Sequence, residues 1–381
     1  MTISSHFDYI IIGNGLAGLQ LALKLASDSY FNNKQIALID PSTKSVNDKT
    51  WSFWESKNSQ WDKIAHKSWS EASVITSKKK IDLNLLPYFY KTIRAIDFYN
   101  EAKNKLKQYN NIRFIIESVI SVSASELVKI DTENNTYTAT HIFDSRVPEA
   151  LINSHKDYIT IIQHFKGWII KTPTNAFDDS KLIMMDYRLK DGEQTTFTYV
   201  LPFSKTEALV EFTYFNQHLV EENVYDDFIK KYIENYLKID EYEIIETEIG
   251  QIPMTNFPFE QFNTNQVTKI GTGGGWVKGS TGYSFKHTEK KVAKIVQNIK
   301  ANKMPSSNLF NRKYKFYDKV FLKVLKDDNH KGEWIFKQFY SKNSIQTMFR
   351  FLDEESNLFE EVKIMWSLFS WSFIKAFFKT L

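Results

Sequence analysis

Residues 8–18 read Asp-Tyr-Ile-Ile-Ile-Gly-Asn-Gly-Leu-Ala-Gly, an apolar run that closes with the spacing Gly-x-Gly-x-x-Gly. Such a run indicates a buried strand, and each glycine behind it has its own role. Gly13 permits a tight turn, Gly15 lets the backbone approach a pyrophosphate, and Gly18 lets a helix pack against the strand. The stretch therefore predicts the first strand, turn and helix of a nucleotide-binding unit.

The residues that follow complete this unit and narrow its ligand. A helical pattern begins at Leu16 and Ala17, whose exposed N–H groups can face phosphate charge. A second apolar run, residues 35–39, ends at Asp40, where a carboxylate can accept hydrogen bonds from both ribose hydroxyls. Because an acid at this position disfavours a 2′-phosphate, the unit predicts bound FAD or NAD rather than NADP.

The composition excludes several classes of protein. The 381 residues are 42% hydrophobic and 25% charged, which is typical of a folded globular protein of two or three domains. The absence of cysteine excludes disulfides and thiolate chemistry, and the scattered histidines predict no metal site. No Gly-x-Ser-x-Gly motif supports a hydrolase, and no zinc finger, RRM or helix-turn-helix signature supports a nucleic-acid partner.

The C-terminal part of the chain combines lysines with large aromatic residues. The last helical stretch contains Trp366, Trp371, Phe377 and Phe378. These residues fit a helix docked on the core, or an interfacial helix with its rings in the acyl boundary of a membrane. No uncharged run approaches the roughly 20 residues of a membrane-spanning helix. We therefore expect a cytoplasmic protein that associates peripherally with the inner face of the cytoplasmic membrane.

The order of elements after the first unit favours FAD over NAD. Residues 94–108 are predicted to form a helix, residues 112–116 a strand, and residues 127–143 a hairpin that ends at Asp144. This order is similar to that of FAD-binding domains of the glutathione-reductase type. The segment of residues 48–54, by contrast, is predicted to lie in a polar loop.

The rest of the chain predicts a second domain and a helical region. Residues 158–262 carry long alternating strands, which indicate a mixed sheet inserted as a substrate platform. The chain then returns through a strand to Gly273, Gly274 and Gly275, a second anion site suited to the flavin. The fold class is therefore α/β, with three predicted regions. They are a discontinuous Rossmann-like FAD-binding domain (residues 1–157 and 263–302), the substrate sheet (158–262) and a helical C-terminal region (303–381).

Five further segments stand in a fixed order behind the opening turn. They are Asp48-Lys-Thr-Trp51-Ser-Phe-Trp54, Phe143-Asp144-Ser-Arg146, Gln163-His-Phe-Lys-Gly167-Trp168, Leu201-Pro-Phe with Leu209-Val-Glu211-Phe-Thr213, and Gly273-Gly-Gly-Trp-Val-Lys-Gly-Ser280-Thr-Gly282-Tyr-Ser-Phe285. With the turn, they resemble the bacterial lycopene cyclases over about residues 7–285. The chain departs from the family pattern at Val147 and Gly279, each of which stands where the family usually has proline.

This resemblance implies a reaction and a cofactor. The family converts the acyclic ends of lycopene into β-ionone rings, giving γ-carotene and then β-carotene. The conversion is an isomerisation with no net redox change, yet it needs reduced FAD. Since the sequence has only one dinucleotide fingerprint, NAD(P)H is expected to bind transiently as reductant, unless an external donor reduces the flavin. The resemblance also adds Arg146, Ser280, Thr281 and Gly282 to the residues expected to hold the flavin.

The candidate catalytic residues are Glu211, Asp144, Trp51 and Trp54. A carboxyl group in an apolar tunnel has a raised pKa, so Glu211 could stay neutral at pH 7 and donate a proton to an alkene. The rings of Trp51 and Trp54 could stabilise the resulting cation, or they could simply pack in the core. Asp144 and Arg146 could orient the flavin and the loop around it, or they could form a salt bridge at a strand end.

Two other classes of function remain open. The first is a redox flavoenzyme, either a monooxygenase or a prenyl-chain reductase, that acts on a hydrophobic isoprenoid. Hydroxylases of this fold usually carry Gly-Asp where this chain has Gly271-Thr272, which counts against that class. The second is a non-catalytic carrier of carotenoid or flavin. The sequence also leaves open the oligomeric state, whether one or both ends cyclise, whether β or ε rings form, and whether Glu211 or reduced flavin delivers the proton.

Overall fold

A computed structural model describes residues 5–153 and 157–381, so residues 1–4 and 154–156 of the predicted FAD-binding domain lie outside the described residues. The strands in chain order are β1 Ser5–Ile12, β2 Ile36–Ile39, β3 Thr50–Glu55, β4 Lys67–Trp69, β5 Glu71–Ile75, β6 Lys80–Asn84, β7 Phe89–Arg94, β8 Ile112–Ile115, β9 Val119–Ala124, β10 Val128–Thr132, β11 Thr136–Asp144, β12 Thr160–Lys171, β13 Lys181–Asp186, β14 Thr195–Pro202, β15 Glu207–Asn216, β16 Glu243–Thr255 and β17 Val267–Lys269. The helices are α1 Leu16–Ala26, α2 Ala95–Leu106, α3 Glu149–Asn153, α4 Glu222–Tyr232 (followed by a π-helical turn, Ile233–Leu237), α5 Phe285–Lys300, α6 Arg312–Asp327, α7 Gly332–Lys342, α8 Ile345–Leu352, α9 Leu358–Ser367 and α10 Trp371–Thr380.

The first sheet carries the nucleotide-binding unit. Its order is β8-β2-β1-β11-β10-β9, and β17 pairs with the C-terminal end of β11. Strands β8, β2, β1, β11 and β17 are parallel, and β9 and β10 complete the sheet as an antiparallel pair. Every residue of β2 is buried, as expected for a parallel strand with both faces covered. Helices α1, α2 and α5 share one hydrophobic core on this sheet, which confirms the predicted Rossmann-like fold.

A small three-stranded sheet replaces the polar loop predicted around residues 48–54, so that prediction is wrong. Its order is β3-β7-β4, and β3 pairs antiparallel with β7, placing Trp51 opposite Ile93 and Trp54 opposite Tyr90. The aromatic residues of β3 suit a pleated surface, and Phe53 and Trp54 are buried. The strand is easily missed because its partner β7 lies far along the chain.

The second sheet has the order β16-β12-β15-β14-β13-β5-β6, and it confirms the predicted mixed sheet. Its pairs are antiparallel except for β13 with β5. The sheet draws on two parts of the chain, because residues 71–84 supply β5 and β6. The domain boundaries predicted above stay a prediction.

Alternation along β15 divides its side chains between two cores. Val210, Phe212 and Tyr214 pack in the core that contains α4. Leu209 and Phe215 point to the opposite face and pack with residues of α6–α10, which confirms the predicted helical C-terminal region. Glu211 lies between these two residues on the same face, as the alternation predicts. Among the described residues, no helix is both long and apolar enough to cross a membrane.

Candidate active site

The turn between β1 and α1 is shaped by its three glycines. Gly13 has φ +102°, and a Cβ there would lie 2.0 Å from Ser145 Oγ. A Cβ on Gly18 would lie 1.9 Å from the carbonyl oxygen of Gly13. A Cβ on Gly15, by contrast, would meet no atom within 4 Å, because Gly15 borders an open cavity. Gly13 and Gly18 are therefore required by the fold, whereas Gly15 leaves room for a ligand.

The N-terminus of α1 faces this cavity without a cap. Leu16, Ala17 and Gly18 line the cavity, no side chain caps the helix, and its first turn contains no acidic residue. Unpaired N–H groups at a helix start attract anions. Asp40 accepts hydrogen bonds from the backbone N–H groups of Asn14 at 2.7 Å and Ser42 at 2.8 Å. The turn therefore fits a dinucleotide, and the role of Asp40 at a ribose stays a prediction.

The second glycine turn reaches the cavity with residues other than the predicted triplet. Gly271 and Thr272 line the cavity. A Cβ on Gly273 would lie 2.3 Å from the Arg146 carbonyl oxygen, and one on Gly274 would lie 2.5 Å from that of Lys269. Glycine at these two positions lets the turn pack closely against the backbone of Arg146 and Lys269.

The remaining predicted flavin contacts are divided between two surfaces. A Cβ on Gly275 would lie 2.4 Å from the ring of Phe259, so this glycine also permits close packing. Thr281 and Gly282 line the same cavity as the nucleotide turn. Ser280 instead borders a second cavity among the C-terminal helices. Of the predicted flavin contacts in this segment, Thr281 and Gly282 are thus the ones that line the same cavity as Gly15.

Asp144 and Arg146 form the salt bridge at the end of β11 rather than a wall of the cavity. Arg146 Nε and Nη2 donate to the two carboxylate oxygens of Asp144 at 3.0 and 2.9 Å, and Lys269 Nζ donates at 2.9 Å. Burial opposes ionisation of Asp144, but the two cations outweigh it and lower its pKa. Asp144 is therefore an ionised carboxylate whose negative charge is balanced by Arg146 and Lys269.

One cavity of about 450 Å³ joins the nucleotide turn to the second sheet and the C-terminal helices. We refer to it as the central cavity; it is lined by Gly15 at one end and by Glu211, Phe215, Phe336 and Phe349 elsewhere. Its walls are mainly apolar and aromatic, so a charge formed inside it would be poorly solvated by water. Such a site is where carboxyl groups acquire strongly shifted pKa values.

Two carboxyl groups meet in the central cavity, and sequence reasoning found only one of them. Glu211 on β15 and Glu248 on β16 are 7% and 8% exposed. Thr213 Oγ1 donates to Glu211 Oε1 at 2.7 Å, and Thr50 Oγ1 donates to Glu248 Oε2 at 2.8 Å. Burial, followed by the negative charge of Glu248, raises the pKa of Glu211 well above its usual range. Burial raises the pKa of Glu248 to about 7.

Trp54 lies in the wall of the central cavity and joins β3 to α8. Its ring stacks on Phe349 at 4.4 Å and meets Tyr283 edge-on at 4.7 Å. Its Nε1 donates to Asp353 Oδ2 at 2.9 Å, and burial raises the pKa of Asp353 to about 6. The aromatic faces around Trp54 are those on which a cation would be stabilised.

Trp51 lines the same cavity and packs edge-on against two rings of α2. Its ring lies 5.3 Å from Phe98 and 5.8 Å from Tyr99. The structure therefore brings both predicted tryptophans to the cavity that contains Glu211.

Three tyrosine hydroxyls form a chain in the same cavity, and no local sequence pattern predicts this chain because the three residues lie in separate segments. Tyr90 Oη lies 2.7 Å from Tyr199 Oη and 2.9 Å from Tyr283 Oη, and Tyr199 donates to Ser52 Oγ at 3.2 Å. Burial raises all three pKa values well above the usual range. The cavity therefore contains neutral hydroxyls and aromatic rings around its carboxyl groups.

A second cavity of about 310 Å³ lies among α6–α10, and we refer to it as the C-terminal cavity. It is almost entirely apolar and shares Thr281, Phe336, Phe339 and Leu352 with the central cavity. Helices α9 and α10 beside it expose large apolar side chains. They include Trp366 (74% exposed), Trp371 (78%) and Phe378 (71%), and Phe369 between the two helices is 62% exposed.

The fold and the open N-terminus of α1 define a protein of the flavoprotein-like α/β class. The solved structures it resembles include a geranylgeranyl bacteriochlorophyll reductase-like protein from Thermoplasma acidophilum, with TM-score 0.63, 12% identity, and coverage of 99% of this chain and 100% of that one. They also include the halogenase PltM with phloroglucinol and FAD, with TM-score 0.60, 11% identity, and coverage of 98% and 90%. At these identities, the likeness shows the fold.

The family follows from the sequence match. Residues 8–377 match the family described as lycopene cyclase protein, and the chain belongs to that family. A chloroplastic lycopene beta cyclase of Nicotiana tabacum is 25% identical over 304 residues, covering 74% of this chain and 58% of that protein. A chromoplastic capsanthin/capsorubin synthase of Capsicum annuum is 24% identical over 234 residues, covering 55% and 44%. The chain thus spans about half the length of these plant relatives.

Proposed function

We propose that this protein is a lycopene β-cyclase that converts acyclic ends of lycopene into β-ionone rings, giving γ-carotene and then β-carotene. The observation that carries the proposal is Glu211, a buried carboxyl group in an aromatic cavity that is continuous with a dinucleotide turn. Membership of the lycopene cyclase family supports the choice of substrate. The reaction is an isomerisation, with no net oxidation or reduction.

The residues of the central cavity suit a reaction through a carbocation. Protonated Glu211 donates its proton to the terminal alkene, the cation closes the ring by attack of the next double bond, and loss of a ring proton ends the reaction. The rings of Trp54 and Tyr283 stabilise the cation, at about 2 kcal/mol for each desolvated cation–π contact. Apolar walls such as Phe336 exclude water, which would otherwise trap the cation as an alcohol.

The cofactor we propose is FAD in its reduced form. Gly15, Leu16 and Ala17 would hold the pyrophosphate at the open N-terminus of α1, and Asp40 would hold a ribose. When bound, reduced FAD would supply negative charge close to the cation, with NAD(P)H as its transient reductant. Thr281 lies on the same cavity, with a buried hydroxyl that has no hydrogen-bond partner among the described residues.

We also propose that α9 and α10 rest on the cytoplasmic face of the membrane. Trp366, Trp371 and Phe378 are exposed together with Lys375 and Lys379 of α10, the combination found on interfacial helices. Lycopene is a hydrocarbon that resides in lipid, so it needs an apolar route into the protein. The C-terminal cavity offers this route because it shares residues with the central cavity.

Expression in cells that accumulate lycopene tests the proposal. The expected result is that pigment chromatography detects γ- and β-carotene with the wild-type chain and only lycopene with Glu211→Gln. Unchanged lycopene with the wild-type chain would contradict cyclisation.

A second assay uses purified protein, lycopene in liposomes and NADPH. A cyclase uses NADPH only to prime the flavin, so ring formation should greatly exceed NADPH consumption. Consumption equal to the amount of a reduced or hydroxylated product would instead identify a redox enzyme, and bound but unaltered lycopene would identify a carrier.

A further inference from the structure

Glu211 and Glu248, the two carboxyl groups of the central cavity, lie on either side of strand β12. The residue of β12 between them is a glycine, so no side chain separates the two acids. In the second sheet, β12 lies between β15 and β16, and Gly167 of β12 is the partner of both Glu211 and Glu248. A Cβ on Gly167 would lie 2.8 Å from Leu209 Cδ1 and 3.3 Å from Glu211 Cβ. Glycine at this position therefore keeps open the space between the two acids.

The distance to be bridged suits two glutamates. Strands β15 and β16 are two strand spacings apart, or about 9.6 Å. Cross-strand partners point to the same face of a sheet, so both side chains extend over Gly167 from opposite sides. Each is long enough to reach toward the middle, and the interaction between them raises the pKa of Glu211.

The surroundings leave this pair without a neutralising cation. Among the residues that the structure describes, neither Glu211 nor Glu248 forms an ion pair, and each accepts from one threonine hydroxyl. Glu246 and Arg94 act on Glu248 electrostatically in opposite directions, and they pair with each other. Tyr199 and Tyr283 stand near Glu211 and are neutral. Two buried carboxyl groups in such a setting cannot both ionise, so they hold one proton between them.

We propose, on the basis of the proposed cyclase function, that Glu248 is a second catalytic residue and that it works as the base opposite Glu211. Ring formation needs a proton at one carbon and the removal of a proton from another carbon of the same ring. A pair of carboxyl groups that shares one proton supplies both groups that the reaction needs, a carboxylic acid as proton donor and a carboxylate as base.

The bonds and protons balance over one ring. The O–H bond of Glu211 breaks, and its proton forms a C–H bond at the terminal alkene carbon. The electrons of the next double bond form the ring C–C bond, and the positive charge moves to the other carbon of that double bond. A ring C–H bond then breaks, its electrons form the ring double bond, and its proton binds to an oxygen of Glu248. Return of that proton across the gap at Gly167 to Glu211 resets the pair, with no electron gained or lost.

Substitutions in the holoenzyme test the pair. Glu248→Gln should retain FAD and lower the rate of ring formation at least a hundredfold, a typical contribution of general acid–base catalysis. Glu248→Asp keeps a carboxyl group on the same strand and should recover part of that rate. Glu243→Gln is the matched control, because Glu243 lies exposed on the same strand β16, and it should behave as the wild-type enzyme does.

The pH profile separates a base from a merely structural residue. The wild-type rate should fall below about pH 7, where Glu248 becomes protonated. In Glu248→Gln, the residual rate should lose this acidic limb. A rate and pH profile of Glu248→Gln that match the wild type would overturn the inference while leaving the cyclase function intact.

Infrared spectroscopy of the holoenzyme without lycopene gives an independent measurement. The wild type should show a protonated carboxyl C=O band from Glu211 that persists above neutral pH. In Glu248→Gln, this band should titrate at lower pH, because the neighbouring negative charge is gone. An unchanged titration would refute the shared proton, whereas a wild-type enzyme that forms no rings would refute the proposed function and leave the infrared result standing.

Discussion

Glu211→Gln should abolish ring formation while leaving the fold and the flavin in place. Glutamine has nearly the same size as glutamate, and its amide oxygen can still accept the hydrogen bond from Thr213 Oγ1, now 2.7 Å long. The change removes the acidic proton. General acid–base catalysis contributes about 10²–10⁴-fold, so the barrier should rise by roughly 3–5 kcal/mol. FAD content should stay constant because Glu211 lies away from the turn at Gly15.

The same substitution should also change how stability depends on pH. The folded-state pKa of Glu248 is about 7, above its ordinary value of 4.5, so the folded protein binds the proton more tightly than the unfolded chain does. The contribution of Glu248 to stability is therefore fully present below pH 4.5 and is lost as the pH rises to 7, by roughly 3 kcal/mol. Burial and the charge of Glu248 raise the pKa of Glu211 as well, so Glu211 contributes to the loss of stability in the same direction as the pH rises. Glu211→Gln removes that contribution, so thermal unfolding at pH 5 and pH 8 should differ less than in the wild type.

Two measurements decide this prediction. Chromatography of pigments gives the ring-formation rate, which is divided by the flavin content from absorbance to give turnover per holoenzyme. Thermal unfolding of wild type and variant at both pH values gives the stability difference. Near-normal turnover per bound flavin in Glu211→Gln would remove this residue from the mechanism, whatever its effect on stability.

Three other variants probe the cofactor turn, the cation site and the membrane face. Gly15→Val adds side-chain atoms where no atom lies within 4 Å, so the protein should fold with an unchanged melting temperature but lose FAD absorbance; full flavin content would contradict the pyrophosphate site. Trp54→Phe should preserve the stack on Phe349 and lower turnover about tenfold through the weaker cation–π contact, whereas loss of flavin at constant turnover per holoenzyme would indicate a packing role. Trp371→Ser combined with Phe378→Ser should reduce co-sedimentation with anionic vesicles at an unchanged melting temperature, because both rings are exposed; undiminished binding would exclude this face.

Local patterns in the sequence predicted the nucleotide turn and one catalytic candidate. Gly13 and Gly18 follow from a spacing that only a strand–turn–helix unit requires, and the structure confirms this unit. Glu211 was placed by simple alternation along its strand, with Leu209 and Phe215 on the same face. The strand–turn–helix unit and the face on which Glu211 lies are confirmed because each depends on residues that are close in sequence, and the catalytic role of Glu211 stays a prediction.

The features that were missed depend on pairing between distant segments. Glu248 becomes a partner of Glu211 only through the register of β12 against both neighbouring strands, with Gly167 between them. The tyrosine chain joins β7, β14 and the segment before α5, and no spacing within any one of them predicts it. The residues of β3 are predicted to form a loop for the same reason, because it is the pairing with the distant strand β7 that makes them a strand.

The second sheet combines strands from two distant parts of the chain, so it cannot be completed until late in synthesis. The β5–β6 hairpin leaves the ribosome long before β13, the strand that pairs with β5. Until β13 arrives, β5 presents an unpaired edge, which is a template for wrong pairing with other chains. Nascent chains that stop between residues 84 and 181 should therefore need chaperones more than longer ones do, and the hairpin would be the segment that those chaperones cover.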